Sequence, residues 1–294
     1  MSNSLPFFAL LFNSLVWGLA WWPFKTMHAH GLVAPLATAL IYSGLLLLSL
    51  IWLRSNWAEF LRTPVLWMLA LAAGLTNVSF NTASSAGDVV RVILLFYLMP
   101  AWTVLLAWRF LGERPTLHSL LRLGLAFGGM VLVIVPQGAT WSSMTNSVGV
   151  PEYAAVFGGL CFAATNVILR RSNHTAGFSR VLAMCIGCTT LGLLVGTLGY
   201  WSGQWGGIPA PHPLWIACAV GMGILVALGN WSLQFGASRM PTSTTSLIML
   251  SEVPFAAISA WLLGATELTP RMLIGGALII TGALLAVLQQ SDKK

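Results

Sequence analysis

The sequence predicts an all-α integral membrane protein of ten transmembrane helices, arranged as five plus five in inverted topology. Three observations carry that prediction. Only 7% of the 294 residues are charged and 57% are hydrophobic, with a mean hydropathy of +0.83. A water-soluble domain of this length needs far more charge to cover its surface. Apolar runs of about 20 residues, long enough to cross a ~30 Å hydrocarbon core, follow one another along the chain. Finally, a stretch in the first half returns in the second. Residues 94–116 are free of charge up to Trp108, with Pro100 inside the run and Gly112-Glu113-Arg114 closing it, and 248–269 echo them. Pro100 and Pro254 stand 154 residues apart, as do Glu113 and Glu267, while Trp108 and Trp261 fall one residue out of that register.

The spans are expected over 4–24, 34–53, 64–86, 90–111, 117–135, 152–169, 178–200, 213–236, 241–263 and 270–288. Pro35, Pro64, Pro151, Pro213, Pro241 and Pro270 each fall at or near a first turn, where a missing N–H costs no helical hydrogen bond. The stretches 136–150 and 202–212 carry the polar, Gly and Pro residues of loops. The first span has no basic n-region and no clear small-residue cleavage site, so it is read as a retained helix. With the N-terminus inside, eleven of the fourteen Lys and Arg residues fall in cytoplasmic segments, leaving Lys25, Arg91 and Arg271 outside. That bias places both termini in the cytoplasm of a cell inner (plasma) membrane protein.

The halves can now be set against each other. Asn77 and Asn230 are 153 residues apart, as are Ser79 and Ser232, and Lys25 pairs with Arg170 at 145. Spans 1–5 therefore correspond to 6–10, over 1–136 and 151–289, with a linker at 137–150 and a cytoplasmic tail at 290–294. Five is odd, so the second copy enters the membrane upside down. Inverted repeats of this kind build alternating states around a midplane site in many secondary transporters.

The helix ends Leu111-Gly112-Glu113 and Leu263-Gly264-Ala265-Thr266-Glu267, each followed by a glycine-rich apolar helix, resemble the EamA-type repeats of the drug/metabolite transporter superfamily. So do the ten-span length and the duplication, and the resemblance covers essentially the whole chain. The second end departs by two extra residues before its acid, which loosens residue matching there. The resemblance implies a secondary transporter, often an exporter of amino acids or related metabolites, with a central cavity between the halves.

Polar residues inside spans point to the pathway, because a polar group is costly against lipid and not in a wet cavity. Asn13, Trp17 and Trp21 share one face of the first span at intervals of four. Asn77 and Asn81, with Phe80 beside them, do the same on the third. The fourth offers Tyr97, the sixth Asn166, and the eighth Asn230 and Gln234. Amides of this kind supply both donors and acceptors to a small polar solute, although each also serves as packing glue between helices.

Glu252 alone among the seven acids lies mid-span, about eleven residues or ~17 Å into the ninth span. A carboxylate there is expensive unless protonated, paired or hydrated. It fits a proton-coupling site, a counter-charge for a substrate amine, or a neutral group satisfying backbone freed by Pro254. Arg91, three residues after Asp88, is a candidate guard of the outer mouth. Pro100 and Pro254 are expected to kink their helices as hinges.

Small-residue faces at Gly124/Gly128, at Gly192/Gly196 and along Gly275, Gly282 and Ala286 let backbones approach closely. Spans 5 and 10 are expected to pair as scaffold or to form a homodimer face. Most of the fourteen tryptophans sit at span ends, where aromatic belts form. Trp17, Trp102 and Trp231 lie deeper and fit an aromatic-tolerant pocket or a lipid-facing wall.

Cys185-x-x-Cys188 has half a zinc-site spacing, but all four cysteines lie inside spans, where cysteine acts as a small apolar residue. No metal or other cofactor is expected. There is no P-loop, HExxH or GxSxG, so the chain reads as a transporter and not an enzyme. The basic residues are scattered, without the stripe that nucleic acid requires. The expected partners are a small-molecule substrate and the lipid bilayer, in a monomer or homodimer. Three readings remain: an exporter of amino acids or small metabolites, possible coupling to protons included; a cationic-drug efflux pump; and a lipid-carrier flippase or accessory subunit.

Overall fold

Apolar periodicity makes helix the default everywhere in this chain, and the architecture is set by how those helices break and pack. The computed structural model describes residues 4–52, 54–86, 92, 95–134, 149–264 and 269–291. Twelve helices follow in order among them: α1 (Ser4–Ala29), α2 (Ala34–Trp52), α3 (Arg54–Arg62), α4 (Pro64–Ala86), α5 (Met99–Leu111), α6 (Leu117–Ile134), α7 (Val150–Arg171), α8 (Gly177–Trp201), α9 (Pro213–Ala237), α10 (Thr242–Met249), α11 (Glu252–Leu262) and α12 (Pro270–Ser291). Six stretches are long and apolar enough to cross a bilayer, α10 and α11 counting as one, and α2, α6 and α12 contain shorter apolar helices.

Prolines open α4, α9 and α12 and stand second in α7, as the sequence requires. Gly112 and Gly264 end α5 and α11 at φ 70° and 69°, a left-handed turn that costs a side-chain-bearing residue about 1 kcal/mol or more. Leu111-Gly112 and Leu263-Gly264 are therefore both helix stops.

Two elements differ from expectation. The stretch 54–63 was expected to connect two spans, yet it contains a nine-residue amphipathic helix, α3. Phe60 is buried while Leu61 and Arg62 are exposed, and the charge of this segment hid its periodicity from a hydropathy reading. The ninth span is not one kinked helix but two, α10 and α11, parted by a turn at Leu250–Ser251. Pro254 has no N–H for the Leu250 carbonyl and its ring crowds that turn, so the break falls one turn before it. A matching turn at Tyr97–Leu98 precedes α5, with Pro100 second in that helix.

Glycines set the tightest crossings, as expected where lipid gives helices no hydrophobic drive to associate. A Cβ on Gly187 of α8 would collide with the Ala70 carbonyl of α4, and one on Gly74 with the Gly187 carbonyl. Gly192 and Gly196 lay α8 against Pro35, Leu36 and Ala39 of α2. Helices α6 and α12 do pack together, but through Gly129, Gly275 and Gly282. Gly124 and Gly128 of the GxxxG have nothing within 4 Å of an added Cβ. α1 lies along α9, where Gly236 accommodates Leu10.

Candidate functional site

Eight helices leave a cavity between them, of about 580 Å³ counting the open space at its mouth. α1 contributes Trp17, α4 contributes Ala73, Thr76, Asn77 and Phe80, and the α5 break contributes Phe96 and Met99. α7 and α8 supply Phe162, Thr165 and Met184, α9 supplies Asn230 and Leu233, and the α10–α11 break supplies Met249 and Glu252. Among the described residues the wall thus holds one acid, no base, two amides, two hydroxyls and four aromatic rings.

The helix breaks place the chemistry. Glu252 is the first residue of α11, so its carboxylate stands at a helix start, where free backbone N–H groups favour negative charge. The Tyr97 hydroxyl, from the opposite break, pairs with that carboxylate. Phe96 sits 4.4 Å from Phe80 and 6.1 Å from Phe162, ring centre to ring centre, forming an aromatic wall beside the acid. The Asn77 amide donates to the Ala73 carbonyl at 3.0 Å and the Asn230 amide to the Tyr42 hydroxyl at 3.4 Å.

Of the eleven residues expected to bind solute, Trp17, Asn77, Phe80, Asn230 and Glu252 line the cavity, and Tyr97 stands directly behind Glu252. The others are placed elsewhere. Trp21 donates to Ser259 at 2.9 Å, joining α1 to α11. Asn81 donates to the Thr38 hydroxyl, joining α4 to α2. Gln234 accepts from the buried Arg180 guanidinium at 3.0 Å, and Arg180 also donates to the Ser172 carbonyl at 2.7 Å. Asn13 is fully buried, its amide nitrogen 3.6 Å from the Met249 sulfur and its oxygen without a partner. Asn166 is fully buried with neither amide atom partnered, one helical turn from Phe162 on the same face of α7. Of the gate candidates, Pro100 and Pro254 open the half-helices, and Arg91 lies outside the described residues.

Sequence reading named no role for Thr76, Met99, Phe162, Thr165, Met184, Leu233 or Met249. A four-residue step from Asn77 and Asn230 finds Ala73 and Val226, not these residues. Only the helix crossings bring them to one wall. Glu59 was missed as well: from α3 it accepts the Ala176 N–H at 3.1 Å and the Ser179 hydroxyl, capping the start of α8.

Stacked apolar helices around a partly open, largely apolar and aromatic cavity that carries a carboxylate, with two helices broken at its wall, have the build of a membrane transporter. The model of the EamA-like transporter family matches twice, at residues 5–135 and 151–288. The chain belongs to the EamA-like transporter family, and is accordingly a multi-pass membrane protein and not an enzyme. It is 25% identical, over 74% of both chains, to an uncharacterized transporter of Archaeoglobus fulgidus. It is 30% identical to a probable terminal-alkyne amino-acid exporter of Streptantibioticus cattleyicolor, over 65% of this chain and 62% of that one. One solved crystal structure superposes over the full length of both chains with a TM-score of 0.76 at 16% identity, which shows the fold.

Proposed function

We propose that this protein is a secondary active exporter of amino acids or related small metabolites, working by alternating access through the cavity at Glu252. The carrying observation is the single carboxylate among the described lining residues, in a wall of amides and aromatic rings. In such a wall a solute ammonium finds one counter-charge, its carboxylate finds the second N–H of the Asn77 and Asn230 amides, and an apolar side chain finds Phe80, Phe96 and Phe162. The name of the Streptantibioticus relative supports the same substrate class. Glu252 also serves as the coupling site in this reading: it holds either the solute amine or a proton, and Tyr97 hydrogen-bonds whichever form is present.

The inverted repeat belongs to the proposal, with ten membrane crossings, the domain limits at 136 and 151 and both termini in the cytoplasm of the inner membrane. Its support is the double family match and the cavity wall itself. Trp17 and Phe162 stand 145 residues apart, as do Lys25 and Arg170. Asn77 and Asn230, and Phe80 and Leu233, each stand 153 apart. Equivalent positions of two halves meet around one void, as they do when a pseudo-two-fold axis passes through it.

A second reading, efflux of lipophilic cations, draws on the absence of any basic residue among the described lining. One experiment separates the two. Purified protein in liposomes is assayed for counterflow of labelled amino acids and of a quaternary ammonium dye, with and without a pH gradient, beside Glu252→Gln. Amino-acid movement whose pH dependence disappears in the variant supports the proposal. Dye movement alone moves the assignment to cations, and an unchanged pH response in the variant removes Glu252 from coupling.

A further inference from the structure

The charged contact between the two halves at the basic end of the bundle has no role in the cavity chemistry. Glu113 follows the helix stop Gly112, and its carboxylate reaches across to the second half. One oxygen accepts the Thr242 N–H at the start of α10, at 3.1 Å. The other lies 3.9 Å from the Arg170 guanidinium at the end of α7. Arg170 in turn donates to the Ser238 carbonyl at 3.0 Å, in the turn that leads into α10. Three segments from both halves are thereby tied at one carboxylate. α10 runs from that tie directly to the break before Glu252, about ten residues or ~15 Å away.

We propose that Glu113 is a proton-linked latch that holds the basic end of the transport pathway closed, with α10 as the element it releases. The proposal rests on the alternating-access reading above. Burial in the closed contact raises the Glu113 pKa above its ordinary 4.5, and this outweighs the lowering by Thr242 and Arg170. Four further arginines are near in sequence. Arg109, Arg114 and Arg171 are exposed, and Arg239 lies over the Phe235 ring with its guanidinium on the Phe235 carbonyl and the Ser238 hydroxyl. Arg170 is therefore the cation that answers Glu113.

The sign follows from linkage. When the latch opens, the carboxyl is solvated and returns toward its ordinary pKa; when it closes, the pKa rises. Closing therefore takes up a proton. As pH falls through the raised value the closed form gains, and as pH rises above it the ionised carboxylate favours opening. The protonated group still accepts the Thr242 N–H through its carbonyl oxygen, so the cap survives neutralisation.

Two substitutions separate the charge from the cap. Glu113→Gln keeps an acceptor for Thr242 without the charge, whereas Glu113→Ala removes both. Each is combined with Thr245→Cys, a fully buried position one turn into α10. The full chain in nanodiscs is labelled with a maleimide from pH 5 to pH 8. Rates are expressed as ratios to Thr245→Cys alone, which cancels the pH dependence of the thiol. Glu113→Ala is expected to label about threefold faster or more throughout, from loss of a helix cap. Glu113→Gln is expected to match the parent at acid pH and to fall below it as pH rises. Equal rates for Glu113→Ala and the parent, or a pH-independent ratio for Glu113→Gln, overturn the latch. If substrate counterflow persists in that case, alternating access stands without it. Thr245→Cys that is unreactive in every background, together with absent counterflow, overturns both. Unchanged melting of the Gln variant checks that the fold is kept.

Discussion

The crossing of α4 and α8 makes a sharp quantitative prediction, because two backbones meet there with no side chain between them. A methyl group added at Gly187 would sit within the Ala70 carbonyl, and the carbonyl carbon and Cα of Ala70 lie just beyond. Every obstructing atom is main chain within a helix, so nothing can rotate away. The helices must separate, and Gly74, whose own close approach is to Gly187, separates with them. Overpacking of this kind costs about 1–3 kcal/mol, at the upper end where backbone must shift. Gly187→Ala also gains up to ~1 kcal/mol in helix propensity, so the net loss is about 1–2 kcal/mol. Gly128→Ala is the internal control: it has the same propensity gain and nothing within 4 Å. The four cysteines are free and buried, with Cys185 and Cys188 flanking the crossing. A thiol-reactive dye therefore reports unfolding without any label being added. Gly187→Ala should melt several degrees below wild type, and Gly128→Ala at or slightly above it. Equal midpoints for the two variants would show that the α4–α8 approach is not tight, and the packing argument would fail.

Two further predictions test contacts away from the cavity. Gln234→Leu leaves the buried Arg180 guanidinium without its side-chain acceptor, and stranding a buried charge costs about 3–5 kcal/mol at the upper limit. The double variant Arg180→Met/Gln234→Leu should recover part of that loss in the same dye assay; a double variant worse than the sum of the singles would refute the pairing. Ser259→Ala removes the acceptor of the Trp21 indole N–H, and a melting midpoint lowered by the equivalent of about 1–3 kcal/mol is expected. No change there would mean that water replaces the serine hydroxyl and that the α1–α11 contact is wet.

Much of the architecture was legible because it rests on signals that survive in one dimension. Hydropathy finds helices, proline finds their first turns, and Leu-Gly finds two stops. The acid in the ninth span was visible for the same reason: a charge in apolar sequence has no local explanation. What could not be read was the choice among equivalent polar residues. Asn77 and Asn81 sit four apart on one helix, yet one lines the cavity and the other donates to Thr38. Gln234 and Asn230 divide similarly, because Arg180 from a helix some 54 residues earlier takes the former. Those outcomes depend on the azimuth at which a neighbouring helix crosses, which no periodicity encodes. The aromatic and methionine lining is hidden for another reason. Phe162, Met184 and Met249 differ from lipid-facing residues only in what stands opposite them. The GxxxG of α6 shows the converse error: the motif is present, but the register of α6 on α12 brings Gly129 to the contact and leaves Gly124 and Gly128 outside it.

The cavity wall has one further property that bears on mechanism. Under the proposed inverted repeat its paired positions agree in character: Trp17 with Phe162, Asn77 with Asn230 and Phe80 with Leu233. In the 154 register of Pro100 and Pro254 the counterpart of Glu252 is the apolar Leu98, and here the agreement ends. In a transporter of two inverted halves with matching walls, the two access states present the solute with equivalent surroundings and differ little in energy. One carboxylate on one half-helix removes that equivalence. Its pairing with Tyr97 crosses from one break to the other, so any motion that parts the α5 and α10–α11 breaks must cost that contact or replace it with solute or water. In the proposed reading the unequal pair is thus the place where loading would be converted into a preference for one state, and Glu252 is the only wall position among the described residues that can change its charge.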